Sequence, residues 1–163
     1  MSQLQRITLF LSVLLLGILL FFARGGINSR APLEELARKS LDPEIALSNG
    51  RPTVLEFYAD WCEACREMAP TMHSIEDEFK EDVNIVLLNV DNNRWKDFVE
   101  KYLVTGIPQL DFFDKNGVLS GSSIGLKRYD QIRPMTKSLL NNEKLPSLMV
   151  DGKVSNFSNS LPI

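Results

Sequence analysis

The chain has 163 residues, 44% of them apolar and 24% charged, a make-up that fits an ordinary globular domain with enough length to bury one core. Its formal charge is −3, and because Arg6, Arg24 and Arg30 fall in the first 30 residues with no acid, the remainder carries −6; a mildly acidic domain offers no basis for nucleic-acid binding. Two cysteines exclude a disulfide framework, and with His73 as the lone histidine they leave a zinc set incomplete, so no metal is expected.

After an N-terminal tail of residues 1–6, residues 7–23 (ITLFLSVLLLGILLFFA) run without a charge. As a helix this stretch is about 25 Å long, the short end of a membrane span. Arg6 and Arg24 bracket it and can snorkel to the two interfaces. No good cleavage pattern follows, so the segment reads as a single-pass anchor rather than a cleaved signal peptide. The flanking charge, with Arg24, Arg30, Arg38 and Lys39 on the far side, would by itself keep the domain in the cytoplasm.

Residues 24–31 read as a flexible linker. A domain follows over residues 32–145. Pro32 opens a helical pattern through Leu33, Leu36 and Ala37. Residues 53–59 (TVLEFYA) are a central strand, apolar apart from Glu56. Residues 63–79 are helical, with Met68, Met72, Ile75 and Phe79 on one face and Pro70 expected to kink the run. Residues 83–90 form the next strand, and 93–102 a short helix capped by Asn92 or Asn93. Residues 109–113 and 118–122 pair through an Asn116-Gly117 turn. A last helix carries Tyr129, Ile132, Met135, Thr136 and Leu139, flawed by Pro134. From 146 to 163 the chain turns polar and reads as a loose tail, and its sequon Asn156-Phe157-Ser158 reads as a chance match. Alternation followed by a hairpin implies an α/β fold, a mixed sheet with helices on both faces.

Cys62 and Cys65 stand where the first strand feeds the second helix. A Cys-x-x-Cys there is the working part of a dithiol/disulfide exchanger. At the helix start Cys62 faces the positive end of the helix dipole, which favours its thiolate and makes it the attacker. Cys65 lies one turn on, within reach to close a disulfide and release a bound partner. The chemistry needs no cofactor.

Other residues frame the pair. Glu56, flanked by Leu55 and Phe57, is expected to be at least partly buried, with a raised pKa suited to accepting the Cys65 proton; a solvated edge position is the alternative. Trp61 offers a flat apolar contact to partners, or simple packing. Glu63 suits the helix N-terminus but repels a neighbouring thiolate, and with Ala64 it tunes the redox poise, or it is simply a solvated first-turn acid. Ile107-Pro108, just ahead of a strand, can expose backbone to an extended substrate, or serve as an ordinary turn. His73 and Trp95 read as structural without polar partners, and Met68/Met72 as core.

Phe57-Tyr58-Ala59-Asp60-Trp61-Cys62-x-x-Cys65, then Met68-Ala69-Pro70, Leu88-Asn89-Val90-Asp91, Gly106-Ile107-Pro108 and Asn116-Gly117 together resemble the thioredoxins. The resemblance covers about residues 51–145. It implies the thioredoxin fold, a cis peptide at Pro108, a nucleophilic Cys62, a resolving Cys65, and Glu56 in the place of the family's buried Asp. With the N-terminal segment and the Glu after Cys62, the chain looks most like the membrane-anchored thioredoxin-like proteins of cyanobacteria and chloroplasts, the TxlA type. That group implies a domain on the lumenal or extracytoplasmic side of a thylakoid or plasma membrane, against the charge count. It also implies reducing power from a CcdA-type membrane thiol carrier, and disulfide-bearing clients such as apocytochromes in cytochrome assembly. The sequence departs from the family in three places. Glu-Ala replaces Gly-Pro between the cysteines, Leu87 stands where many members have Lys, and the usual first strand is not evident. The expected activity is a protein-disulfide reductase. A disulfide-forming oxidant of the same fold, and a membrane-tethered binding module or holdase without turnover, are the alternatives.

Overall fold

In the computed structural model, residues 3–23, 31–146 and 152–156 are described. The chain divides into two compact units, Met1–Ala31 and Pro32–Ile163. The first holds α1 (Gln3–Ala23), with exposed apolar side chains such as Phe10, 78% exposed. Among the described residues no helix is long and apolar enough to cross a membrane. The expected linker lies, but for residue 31, outside the described residues.

In the second unit the order is α2 (Ala31–Lys39), α3 (Pro43–Ser48), β1 (Thr53–Tyr58), α4 (Glu63–Phe79), β2 (Asn84–Asn89), a 3-10 turn Asn93–Trp95, α5 (Lys96–Lys101), β3 (Gly106–Ile107), β4 (Gln109–Phe113), β5 (Leu119–Ile124), α6 (Tyr129–Leu140) and β6 (Ser155–Asn156). The main sheet runs β2-β1-β4-β5. β1 is parallel to β2, while β1/β4 and β4/β5 are antiparallel, so the sheet is mixed as expected. All six residues of β1 are buried, which requires cover on both faces of the sheet. On one face Phe57 and Phe113 both stack on Tyr102, at the end of α5.

The β2 edge carries no further strand among the described residues. The hydroxyl of Ser40, after α2, accepts the Leu87 N–H at 2.9 Å instead, one way of satisfying an edge donor.

Three features differ from the sequence expectation. α3 went unforeseen because six residues are too few to show a period; the available signal was Asp42, whose side chain accepts the Glu44 N–H, followed by Pro43. The single helix expected over 93–102 is instead a 3-10 turn, capped by Asn92, followed by α5. The polar tail is not loose throughout: Ser155–Asn156 pair antiparallel with β3. A two-residue strand has no pattern to read, and what recruits it is the open edge of β3. Residues 147–151 and 157–163 of that tail, Phe157 and Ser158 of the sequon included, lie outside the described residues.

Candidate active site

Cys62 and Cys65 are joined in a disulfide, with Cα atoms 5.3 Å apart. Cys62 is the N-cap of α4, and its Sγ accepts the Cys65 N–H at 3.1 Å. This contact and the helix dipole both favour negative charge on Sγ once the disulfide is opened. Both cysteines are fully buried. The turn before the helix is held by the Cys62 N–H donating to Ala59 O at 3.1 Å and by Arg66 Nη1 donating to Asp60 O at 2.7 Å.

Trp61 is half exposed, and its indole N–H donates to Asp91 Oδ2 at 2.8 Å. The ring is fixed at its polar end and open at its apolar body, which suits a contact surface better than core packing. Asp91 closes the Leu88-Asn89-Val90-Asp91 run, where nothing local marks it as the partner of a ring 30 residues away.

Glu56 has no exposed surface, and neither carboxylate oxygen has a hydrogen-bond partner among the described residues. Burial pushes its pKa up to about 8. Its neighbour in register on β2 is Leu87, so no cation stands there to hold the carboxylate ionised. The solvated alternative for Glu56 is thereby excluded.

Glu63 is exposed, and its Oε2 lies 2.9 Å from Lys153 Nζ. The hydrogen bond and charge of Lys153 hold its carboxyl below the usual range. Ala64 is buried in α4. The Ile107–Pro108 bond is cis, and Ile107 is fully buried with its backbone paired to Ser155.

His73 was expected to lack a polar partner. Its Nδ1 instead lies 3.0 Å from Asp77 Oδ2, one turn along α4, a pairing the i, i+4 spacing could have shown. His73, Glu76 and Asp77 are the one group among the described residues whose ligand atoms converge, on a partly exposed face. Trp95 packs edge-on against Phe98, under Arg94, and Met68 and Met72 are core.

A second buried acid was missed. Asp111 in β4 accepts Gln109 Nε2 at 3.1 and 3.3 Å. Burial raises its pKa, against hydrogen bonds from Ser122 and Gln109. Leu55 pairs with Asp111 and Glu56 with Leu110, so the two acids point to opposite faces of the sheet. The signal for Asp111 was the one Glu56 carries, a lone acid inside a largely apolar strand.

Comparison with known proteins adds context to this geometry. Residues 33–138 match the family model described as Thioredoxin. The chain is 43% identical over 114 residues to "Thioredoxin-like protein HCF164, chloroplastic" of Arabidopsis thaliana, covering 70% of this chain and 44% of that protein. It is 33% identical over 160 residues to "Thiol:disulfide interchange protein TxlA" of Synechococcus elongatus, covering 98% and 84%. Among solved structures it is similar to thioredoxin O2 of Arabidopsis thaliana in its oxidised state, with a TM-score of 0.51, 27% identity, and 60% and 85% of the two chains covered. The chain thus spans less than half the length of the chloroplast relative.

Proposed function

This chain belongs to the thioredoxin family, and from that premise we propose that it is a thiol:disulfide oxidoreductase that reduces protein disulfides through Cys62 and Cys65. The observation that carries the reading is the Cys62–Cys65 disulfide at the N-cap of α4, with Sγ of Cys62 accepting a backbone N–H.

The cycle starts from the reduced pair. The Cys62 thiolate attacks one sulfur of a client disulfide, and the client's other sulfur leaves as a thiolate. Cys65 then loses its proton and attacks Cys62 Sγ, which frees the second client thiol. Two electrons have passed to the client, and the enzyme is left with the closed disulfide. A dithiol donor must reopen it.

Glu56 is suited to take the Cys65 proton. A carboxyl held near neutrality by burial can both accept and return a proton at pH 7. Trp61 and the backbone beside Ile107–Pro108 form the client contact, where an extended segment adds a strand to the β3 edge. Glu63 and Ala64, in place of Gly-Pro, set the poise of the couple.

The relatives' names support a setting. One is called chloroplastic and the other a thiol:disulfide interchange protein. In this reading α1 anchors the domain to a thylakoid or plasma membrane, supported by its exposed apolar side chains. The domain faces the lumenal or extracytoplasmic side, draws electrons from a CcdA-type carrier, and reduces clients such as apocytochromes.

Insulin reduction with dithiothreitol is the direct test: wild type accelerates it and Cys62→Ser does not. Undiminished turnover in Cys62→Ser would overturn the reading. A redox titration sets the direction, since a midpoint of about −270 mV or lower marks a reductant and about −120 mV an oxidant. Carbonate extraction of membranes, followed by protease protection, tests the anchor and its side.

A further inference from the structure

The edge assigned to clients is already occupied. β6 lies antiparallel on β3, with Ser155 opposite Ile107 and Asn156 opposite Gly106. The approach to β6 is pinned at several points. Lys153 O accepts the Leu126 N–H at 2.9 Å. Lys153 Nζ lies 2.9 Å from Glu63 Oε2 and 3.9 Å from Glu67 Oε2, on the first turns of α4. Val154 packs over Gly106 so closely that a Cβ there would stand 2.7 Å from Val154 Cγ1. Gly152, at φ +90°, passes Leu126 where a Cβ would meet its carbonyl oxygen at 2.4 Å. Residues 152, 153 and 154 thus each fit a specific feature of the domain, ahead of the paired Ser155 and Asn156.

We propose that residues 152–156 are an intramolecular occupant of the client edge, a strap that must leave before an extended client can pair with β3. We also propose that Glu63 and Glu67 select a basic residue in the client, as they now hold Lys153. Both parts rest on the oxidoreductase reading above. The exclusion follows from hydrogen-bonding capacity: backbone groups of β3 paired with β6 are not open to a second strand. The strap is nonetheless displaceable, because its strand is two residues long and its ion pairs are solvent-exposed and individually weak. Being part of the same chain, it competes at high effective concentration, so weakly bound segments are turned away. A client running in the same direction as β6 would place its basic residue two positions before the one opposite Ile107.

The test uses the full-length chain, reduced, and two disulfides. One is hydroxyethyl disulfide, too small to need the edge. The other is an extended peptide bearing an activated disulfide, made with Lys or with Glu at the selected position. Lys153→Glu, which sets like charges against Glu63 and Glu67, should raise the peptide rate about fivefold and leave the small-disulfide rate within about twofold. The Lys peptide should react faster than the Glu peptide. In the Cys65→Ala mixed disulfide with the peptide, the β6 amides of Ser155–Asn156 should exchange faster than in the free protein, as should the Leu126 amide that donates to Lys153 O. Equal peptide rates for Lys153→Glu and wild type, or protection persisting in the mixed disulfide, would overturn the strap; equal rates for the two peptides would overturn the basic selectivity. Failure to react with either disulfide would overturn the oxidoreductase reading first, and the strap with it.

Discussion

The two ends of β1 treat buried polar groups in opposite ways. At its start, Thr53 Oγ1 donates to Ala46 O at 3.1 Å, and Asn84 Nδ2 reaches Ala46 O, Thr53 Oγ1 and Asn49 Oδ1 at 3.1, 3.0 and 3.1 Å. That network locks α3 and the paired starts of β1 and β2 together. Further along, Glu56 is buried with neither oxygen partnered among the described residues, and the strand leads into the disulfide turn. A satisfied network contributes to stability, whereas an unpartnered buried acid detracts from it. The difference places stability at the strand's beginning and chemistry at its carboxyl end, the usual place for a site in an open α/β sheet.

The largest expected effect is on the chemical end alone. Cys62→Ser should lower insulin-disulfide turnover by at least about 1,000-fold, because the remaining thiol, Cys65, lies within α4 and not at the N-cap that favours a thiolate; unfolding by urea should be little changed against the reduced wild type.

Glu56→Gln should sharpen the contrast through pH. The folded pKa is raised to about 8, above the unfolded value. The folded state therefore keeps a proton that the unfolded chain releases, and stability falls as pH rises from about 4.5 to about 8. By pH 7 the loss is about 3 kcal/mol. The Gln variant should lack this fall, and its mixed disulfides should resolve more slowly. Urea titrations between pH 4.5 and 8 check it, and an unchanged slope in the variant would remove Glu56 as the source.

The opposite end should answer in stability only. Asn84→Ala strips partners from Ala46 O, Thr53 and Asn49, and should cost about 2 kcal/mol while leaving disulfide reduction unaltered. A comparable drop in turnover would break the separation of the two ends.

A last effect, again on stability alone, is expected at the β4–β5 turn. Gly117 has φ +71°, and a Cβ there would stand 2.4 Å from Leu47 O. Gly117→Ala should cost about 1 kcal/mol or more in urea unfolding, again with normal turnover.

Most of the scaffold was legible because its signals are local. The alternation and length of residues 53–59, 63–79 and 83–90 anticipate β1, α4 and β2 closely. The hairpin turn announces itself through Asp114, whose Oδ1 accepts the N–H groups of Asn116 and Val118 at 2.8 and 2.9 Å. The site was only partly legible. The cysteines, Trp61 and Glu56 stand within one short run. Lys153, by contrast, lies about 90 residues from Glu63 in a segment with no periodicity. No property of that lysine or of its neighbours points to α4.

The order of residues around the cysteines was enough to specify a redox pair at a helix start, because helix geometry carries one thiol a single turn from the other. It was also enough to specify a mixed sheet, since buried strands and amphipathic helices each declare themselves over a few residues. Whether Glu56 is sealed from water, and what lies on the β3 edge, are decided by segments distant in the chain. Burial and strand pairing are properties of neighbours in space, and a backbone edge accepts any strand that the fold brings to it.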